Sequence, residues 1–214
     1  MNKTKNIVVI CEGSSEWIYI QRLNSFLMSL PFPDGWWNVP INFIGIPKKY
    51  GVGTGNYNNI EKKYRSAART YPKEEKLVWV DSDLYIRNDK GCADNYLSRP
   101  NGIPPFCFSI CNFEDFVALH LDDNRFNCWF NIMTNAGHFK NPLHWEEYKN
   151  YFSRVVPDYE KGSLPADFVT KESLGNLHRH LLQMPSVDSC GFKIERTFAH
   201  VIIEEISNWY NISC

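Results

Sequence analysis

The chain contains no C-x-x-C pair, and its seven cysteines are an odd number scattered along the sequence. Cys107 and Cys111 stand at a looser C-x-x-x-C spacing with no matching pair elsewhere. A structural zinc site needs four ligands at short, paired spacings, so this pattern argues against one. Scattered thiols suit a reduced, cytoplasmic protein that buries them. The apolar run near the N-terminus, Ile7 to Cys11, is too short for a signal peptide or a membrane span, and no membrane association is expected. Charge of one sign is missing as well, since the formal net charge is −1. A strongly basic chain would advertise nucleic-acid binding. Near-neutrality does not exclude it, because an acidic metal site can offset a basic substrate face. Internal repeats and low-complexity stretches are absent.

What is present fits a globular fold. The 214 residues, 43% hydrophobic and 22% charged, suit one domain with a small annex. Ile7 to Cys11, rich in β-branched residues and followed by Glu-Gly-Ser-Ser, reads as a buried parallel strand ending in a tight turn. A helix follows, capped by Ser14 or Ser15, with Trp17, Ile20, Leu23, Leu27 and Leu30 on its apolar face, and is ended by Pro31 and Pro33. Strands are expected at 41–46, 77–80 and 106–110, and helices at 57–71 and 113–121. The segment 84–103 reads as a long loop. This order predicts an α/β domain with a mainly parallel four-stranded sheet flanked by helices over residues 1–125. Helical patterns near 126–134, 144–153, 171–184 and 194–210 predict a C-terminal helical annex, 126–214, packed on the sheet.

Acidic residues fall where such a fold puts its chemistry, at the carboxyl ends of the strands. Glu12 follows the first strand, Glu16 lies one helical turn on, Asp81 and Asp83 follow the third strand, and Glu114 follows the fourth. Five carboxylates from distant segments can converge on one rim. Like charges so close raise each other's pKa or require a cation. An oxygen-only donor set favours Mg²⁺ or Mn²⁺, one or two ions. Each piece has a plainer reading: Glu16 can complement a helix dipole, and Asp is common in loops after strands. The weight rests on the ordered combination.

These residues resemble the Toprim family, whose signature is a first strand ending in E-G-x-x-E and a later apolar strand ending in D-x-D. Here the matching stretches are IVVICEGSSE at 7–16 and LVWVDSD at 77–83. CNFEDFVALHL at 111–121 is similar to the N-P-C-F-E stretch of RloB-like proteins, a branch related to the OLD-family nucleases, and VPDYEKGS at 156–163 is similar to their later Tyr-x-Lys element. The resemblance implies metal-dependent cleavage of phosphodiesters in DNA or RNA, tRNA included. It implies Glu12, Glu16, Asp81, Asp83 and Glu114 as metal ligands or, in one case, a base. Glu12 and Asp81 would lie at the catalytic centre, with Lys161 as the assisting cation. It also implies a setting in prokaryotic anti-phage defence, beside an ATPase or restriction system, with homo-oligomers conceivable. The sequence departs from the pattern at Asp115, where the family carries an apolar or aromatic residue. Asp115 reads as a helix N-terminal charge in preference to a sixth ligand.

The loop that includes Lys48, Lys49 and Tyr50 and runs on through three glycines combines groups that bind phosphate and stack on bases. It lacks the G-x-x-x-x-G-K-[ST] spacing, and it reads either as a nucleic-acid contact or as a flexible turn. Lys62, Lys63, Arg65 and Arg69 read as a solvated helix face. His120 reads as a packing or hydrogen-bonding residue. His178 and His180, two apart on a helix, diverge, and His200 lies among core-like residues. Trp36 and Trp37 are candidates for an exposed interface turn. Two other classes remain open. One is a non-catalytic Toprim-fold module that binds nucleic acid or ligand beside a partner ATPase. The other is a phosphatase with an Asp at a strand end, which E-G-x-x-E does not fit.

Overall fold

The structure, a computed structural model, describes residues 3–34, 38–46, 56–185, 188–189, 192–194 and 196–209. Strands β1 (Lys5–Cys11), β2 (Ile41–Ile46), β3 (Glu75–Val80) and β4 (Cys107–Phe108) form an all-parallel sheet in the order β2-β1-β3-β4. Helices α1 (Ser14–Ser29) and α2 (Tyr57–Thr70) join the first three strands. β1 has β2 on one side and β3 on the other, so the direction of winding reverses beside β1. This leaves a crevice at the carboxyl ends of β1 and β3, where open parallel sheets place their ligands.

α1 begins at Ser14, with Gly13 and not a serine in the cap position, and it ends before Pro31 because Leu30 takes the extended backbone that a following proline demands. The expected stripe holds: Ile20, Leu23 and Leu27 are fully buried, and Trp17 and Leu30 are half-buried against the core. The inward face is wider than the stripe, since Glu16 and Tyr19 are buried too. Tyr19 packs edge-on against Trp79 and Phe116, and Glu16 joins the acids at the sheet rim. Gly45 of β2 permits the approach, since a Cβ there would meet Trp17 at 3.0 Å and Ile20 at 3.3 Å.

Two expectations need correction. The segment 84–103 is not a long loop: it holds α3 (Asp83–Ile86), a 3-10 turn at Asp89–Gly91 and α4 (Cys92–Leu97). These pieces are too short to show a helical period, and they are broken by left-handed residues at Asn88, Lys90 and Gly91. β4 is also shorter than 106–110. Beyond Phe108 the Ile110 and Cys111 carbonyls are taken by the 82–83 turn in place of a neighbouring strand.

The later helices are α5 (Phe113–Ala118), α6 (Asp123–Asn135), α7 (Trp145–Phe152), α8 (Lys171–Leu181) and α9 (Phe198–Trp209). A small antiparallel pair, β5 (Asp188–Ser189) and β6 (Phe192–Lys193), interrupts what reads in sequence as purely helical. The C-terminal part packs directly on the sheet. Phe198 stacks on Trp79 at 4.1 Å, and the Phe108 N–H donates to the Arg196 carbonyl at 3.1 Å, so the open edge of β4 is covered. Among the described residues no helix is long and apolar enough to cross a membrane. Cys11, Cys92, Cys107 and Cys111 are free and buried, whereas Cys128 is free and exposed.

Candidate metal centre

The strand ends bring the acidic residues together. The Glu12 backbone N–H continues the β1–β3 ladder to the Trp79 carbonyl at 3.1 Å, and the Glu12 Oε2 accepts the Asp81 N–H at 2.9 Å. Glu16 Oε2 accepts the Gly13 N–H at 2.9 Å, which fixes the turn after β1 and leaves its carboxyl beside the other two. One oxygen each from Glu12, Glu16 and Asp81 lies within 4.8 Å of the others. Glu12, Asp81, Asp83 and Glu114 line a cavity of about 240 Å³ together with Asn112, Trp145 and Lys161. Glu16 stands behind this cavity and is not among its lining residues.

The five acids are held differently. Asp83 has both oxygens engaged, with the Leu84 N–H at 2.7 Å and Arg87 at 3.0 Å. Glu114 is fully buried; its Oε1 accepts the Tyr159 hydroxyl at 3.1 Å, while its Oε2 is enclosed and has no partner. Asp81 Oδ1 is likewise enclosed without a partner. Two orphaned carboxylate oxygens on residues that line the same acidic cavity are acceptors that a cation could satisfy. The oxygen-rich donor set fits Mg²⁺ or Mn²⁺, with Glu12, Glu16, Asp81 and Glu114 as the residues that would hold it.

Electrostatics agree with that fit. Burial, then the Glu16 charge, pushes the Glu12 carboxyl from 4.5 up to about 8. Asp81 is driven well above the ordinary carboxylate range by burial and by the charges of Glu12, Glu16, Asp83 and Glu114. Burial also raises Glu16 and Glu114, and the Lys161 charge pulls both back. A divalent cation would relieve the same repulsion far more strongly.

Lysines define the surroundings. Lys161 rides 4.3 Å above the Trp145 ring at the cavity wall, so its side chain is aimed by a cation–π contact. Lys63, assigned by its sequence context to a solvated face, instead reaches across to the Cys11 and Glu12 carbonyls at 3.0 and 2.8 Å. Its neighbours fit the solvated reading: Lys62 and Arg69 are exposed, and Arg65 pairs with Glu61 one turn away. The sequence distinguishes these side chains only by helical phase, and the phase that matters depends on where α2 crosses β1. Trp145 was equally hidden, because it comes from a segment distant in the chain, whereas Tyr159 belongs to the Tyr-x-Lys element that the resemblance marks. Lys48, Lys49, Tyr50, Trp36 and Trp37 lie outside the described residues.

None of His120, His178, His180 and His200 lines the acidic cavity. His120 packs among Tyr19, Phe116 and Phe168. His178 and His180 do diverge; His180 stacks on Phe126 at 3.8 Å and bonds Asp123 at 2.9 Å, while His178 is half-buried. His200 is exposed, contrary to its core-like context, and its Nδ1 accepts the Thr197 N–H at 3.2 Å ahead of α9. A second cavity of about 540 Å³ lies between α5, α8 and the loop before α8, with Tyr159 in its wall but none of the five rim acids.

Fold and site together define the class: an α/β protein with an all-parallel sheet and a carboxylate cluster, able to hold a cation, at the switch point of its strands. No protein-family model, curated protein or solved structure matches the chain.

Proposed function

We propose that this chain is a Toprim-type nuclease, dependent on Mg²⁺ or Mn²⁺, that cleaves phosphodiesters in DNA or RNA. The observation that carries the reading is the pair of enclosed, unpartnered oxygens, Asp81 Oδ1 and Glu114 Oε2, on residues lining one cavity with Glu12, Asp83 and Lys161. A pure nucleic-acid binder has no use for negative charge concentrated against phosphate. Bound there, the cation would supply Lewis acidity toward water and the phosphodiester and would neutralise developing charge. The protein's own groups do the rest. Lys63 anchors the backbone of Glu12, and the Gly13 N–H and the Tyr159 hydroxyl orient Glu16 and Glu114. The Lys161 ammonium, held over Trp145, stands ready to stabilise the charge on the phosphate or the leaving oxygen.

We further propose, from the resemblance to RloB-like and OLD-related proteins, that this activity serves prokaryotic anti-phage defence in the cytoplasm, with an ATPase or restriction-system partner. The test is a panel of duplex DNA, single-stranded DNA and tRNA incubated with wild type, Glu12→Gln and Asp81→Ala, with Mn²⁺ and with chelator. Cleavage by wild type with Mn²⁺, lost in both folded variants, is expected. Equal cleavage by all three proteins would end the assignment, and absence of Mn²⁺ binding, alone or with nucleic acid, would favour the binding module.

A further inference from the structure

Asp115 sits next to Glu114, is completely buried, and is used by none of the chemistry above. Its carboxylate collects four donors. Oδ2 accepts the N–H groups of Cys111 and Asn112 at 2.9 and 2.8 Å, the Tyr148 hydroxyl donates to Oδ1 at 2.7 Å, and His138 Nε2 approaches both oxygens at 3.2 and 3.0 Å. The next layer is also satisfied. His138 Nδ1 accepts the Leu143 N–H at 3.0 Å, so the ring proton sits on Nε2 facing Asp115, and the Trp129 N–H donates to the Tyr148 oxygen at 3.0 Å. Cys111, Asp115 and His138 bring a sulfur, an oxygen and a nitrogen close together, but these hydrogen bonds occupy the ring nitrogens and both carboxylate oxygens, which argues against a second metal site.

Each arm of this network leads to a different part of the rim. The Cys111 carbonyl, on the turn Asp115 fixes, accepts the N–H groups of Ser82 and Asp83 at 2.9 and 3.2 Å, and the Ser82 hydroxyl donates to the Ile110 carbonyl at 2.6 Å; this pins the segment carrying Asp81 and Asp83. Glu114 shares the first turn of α5 with Asp115. Tyr148 lies on α7 one turn after Trp145, the ring under Lys161. We infer that Asp115 is a positioning residue, a buried hub that holds Asp81 and Asp83, Glu114 and the Trp145–Lys161 pair in one geometry. The inference rests on the metal-centre reading. A hub suits such a site because like charges repel their supports apart, and a fully satisfied low-dielectric network resists that displacement.

The test uses Tyr148→Phe, which removes one donor to Asp115 and touches no rim acid, and Asp115→Asn. Leu27→Ala, a core truncation at the far end of α1, serves as the stability control. Mn²⁺ affinity is measured by calorimetry well below each melting midpoint, amide exchange at Ser82 and Asp83 is followed by NMR, and kcat and KM are taken on the cleaved substrate. The expected result is Mn²⁺ affinity weakened about 10-fold in Tyr148→Phe and up to about 100-fold in Asp115→Asn. Faster exchange at both amides and a fall in kcat with KM for nucleic acid unchanged should accompany it, and Leu27→Ala should show none of these. Wild-type Mn²⁺ affinity in both network variants, or the same loss in Leu27→Ala, overturns the positioning role while leaving the metal centre standing. A wild type that binds no Mn²⁺ overturns both.

Discussion

Glu114 and Asp115 are adjacent in sequence, both acidic, and both 0% exposed, yet they live in opposite worlds. Asp115 is saturated with donors from four residues. Glu114 has one donor, Tyr159, and an oxygen with none, and burial raises its pKa. Burial alone therefore does not tell structural charge from functional charge. The difference lies in hydrogen-bond accounting. A saturated carboxylate is part of the frame; on the proposed reading, the unpartnered one is the acceptor a cation would use.

Breaking that comparison should have its largest effect on stability. Asp115→Ala leaves several buried donors without an acceptor and should destabilise the protein by roughly 3–5 kcal/mol. Glu114→Gln should leave metal-free stability unchanged or slightly higher, because it removes a starved charge from a repulsive cluster. Chemical denaturation of both variants in chelator decides the matter; comparable losses would erase the distinction between frame and rim.

The rim's pH response gives a second, intermediate effect. Burial and the neighbouring charges push the Glu12 carboxyl up to about 8 from 4.5 ordinarily. Between these values the folded chain holds a proton that the unfolded chain has lost, so metal-free stability should fall as pH rises from about 4.5 to about 8, and the raised Glu16, Asp81 and Glu114 carboxyls add to the slope in the same sense. A cation must displace that proton, so Mn²⁺ affinity should climb over the same window. Melting midpoints at pH 5 and pH 8.5, with chelator and with Mn²⁺, check both signs, and Glu12→Gln should make both slopes shallower without abolishing them. At saturating Mn²⁺, about 100 times its Kd, the wild type should gain about 2.7 kcal/mol of stability, a gain the variant loses.

The smallest structural effect belongs to Lys161. Lys161→Ala removes an exposed cation–π contact worth about 0.5–1 kcal/mol, so the melting midpoint should barely move. Cleavage should nonetheless fall by at least an order of magnitude without loss of Mn²⁺ affinity, since removing a positive charge beside Glu16 and Glu114 does not weaken their hold on a cation. A loss of activity proportional only to lost stability would return Lys161 to the role of a solvated loop residue.

Much of the frame is legible in the chain itself. The continuous apolar runs before Glu12 and Asp81 announce buried parallel strands, because only a strand covered on both faces lacks polar alternation. The acids that follow them are thereby placed at one sheet edge. The short helices at 83–97 escaped, since four to six residues cannot display a 3.6-residue period, and the β5–β6 pair escaped for the same reason of length. The apolar stripe of α1 was legible, with Ile20, Leu23 and Leu27 buried, but the burial of Tyr19 was not, because it depends on Trp79 and Phe116 packing against it from other elements.

By itself, the sequence determined which acids reach the rim: strand ends and the first turns of helices are local facts, set by residue pattern and the carboxyl-edge rule of parallel sheets. Only the tertiary structure decided which of those acids are starved and which are fed. The donors that separate Glu114 from Asp115 come from residues 111, 112, 138, 148 and 159. The first two are local, the N–H groups of the α5 cap, and fit the reading of Asp115 as a helix N-terminal charge. The other three come from segments further along the chain, and local pattern carries no record of those contacts.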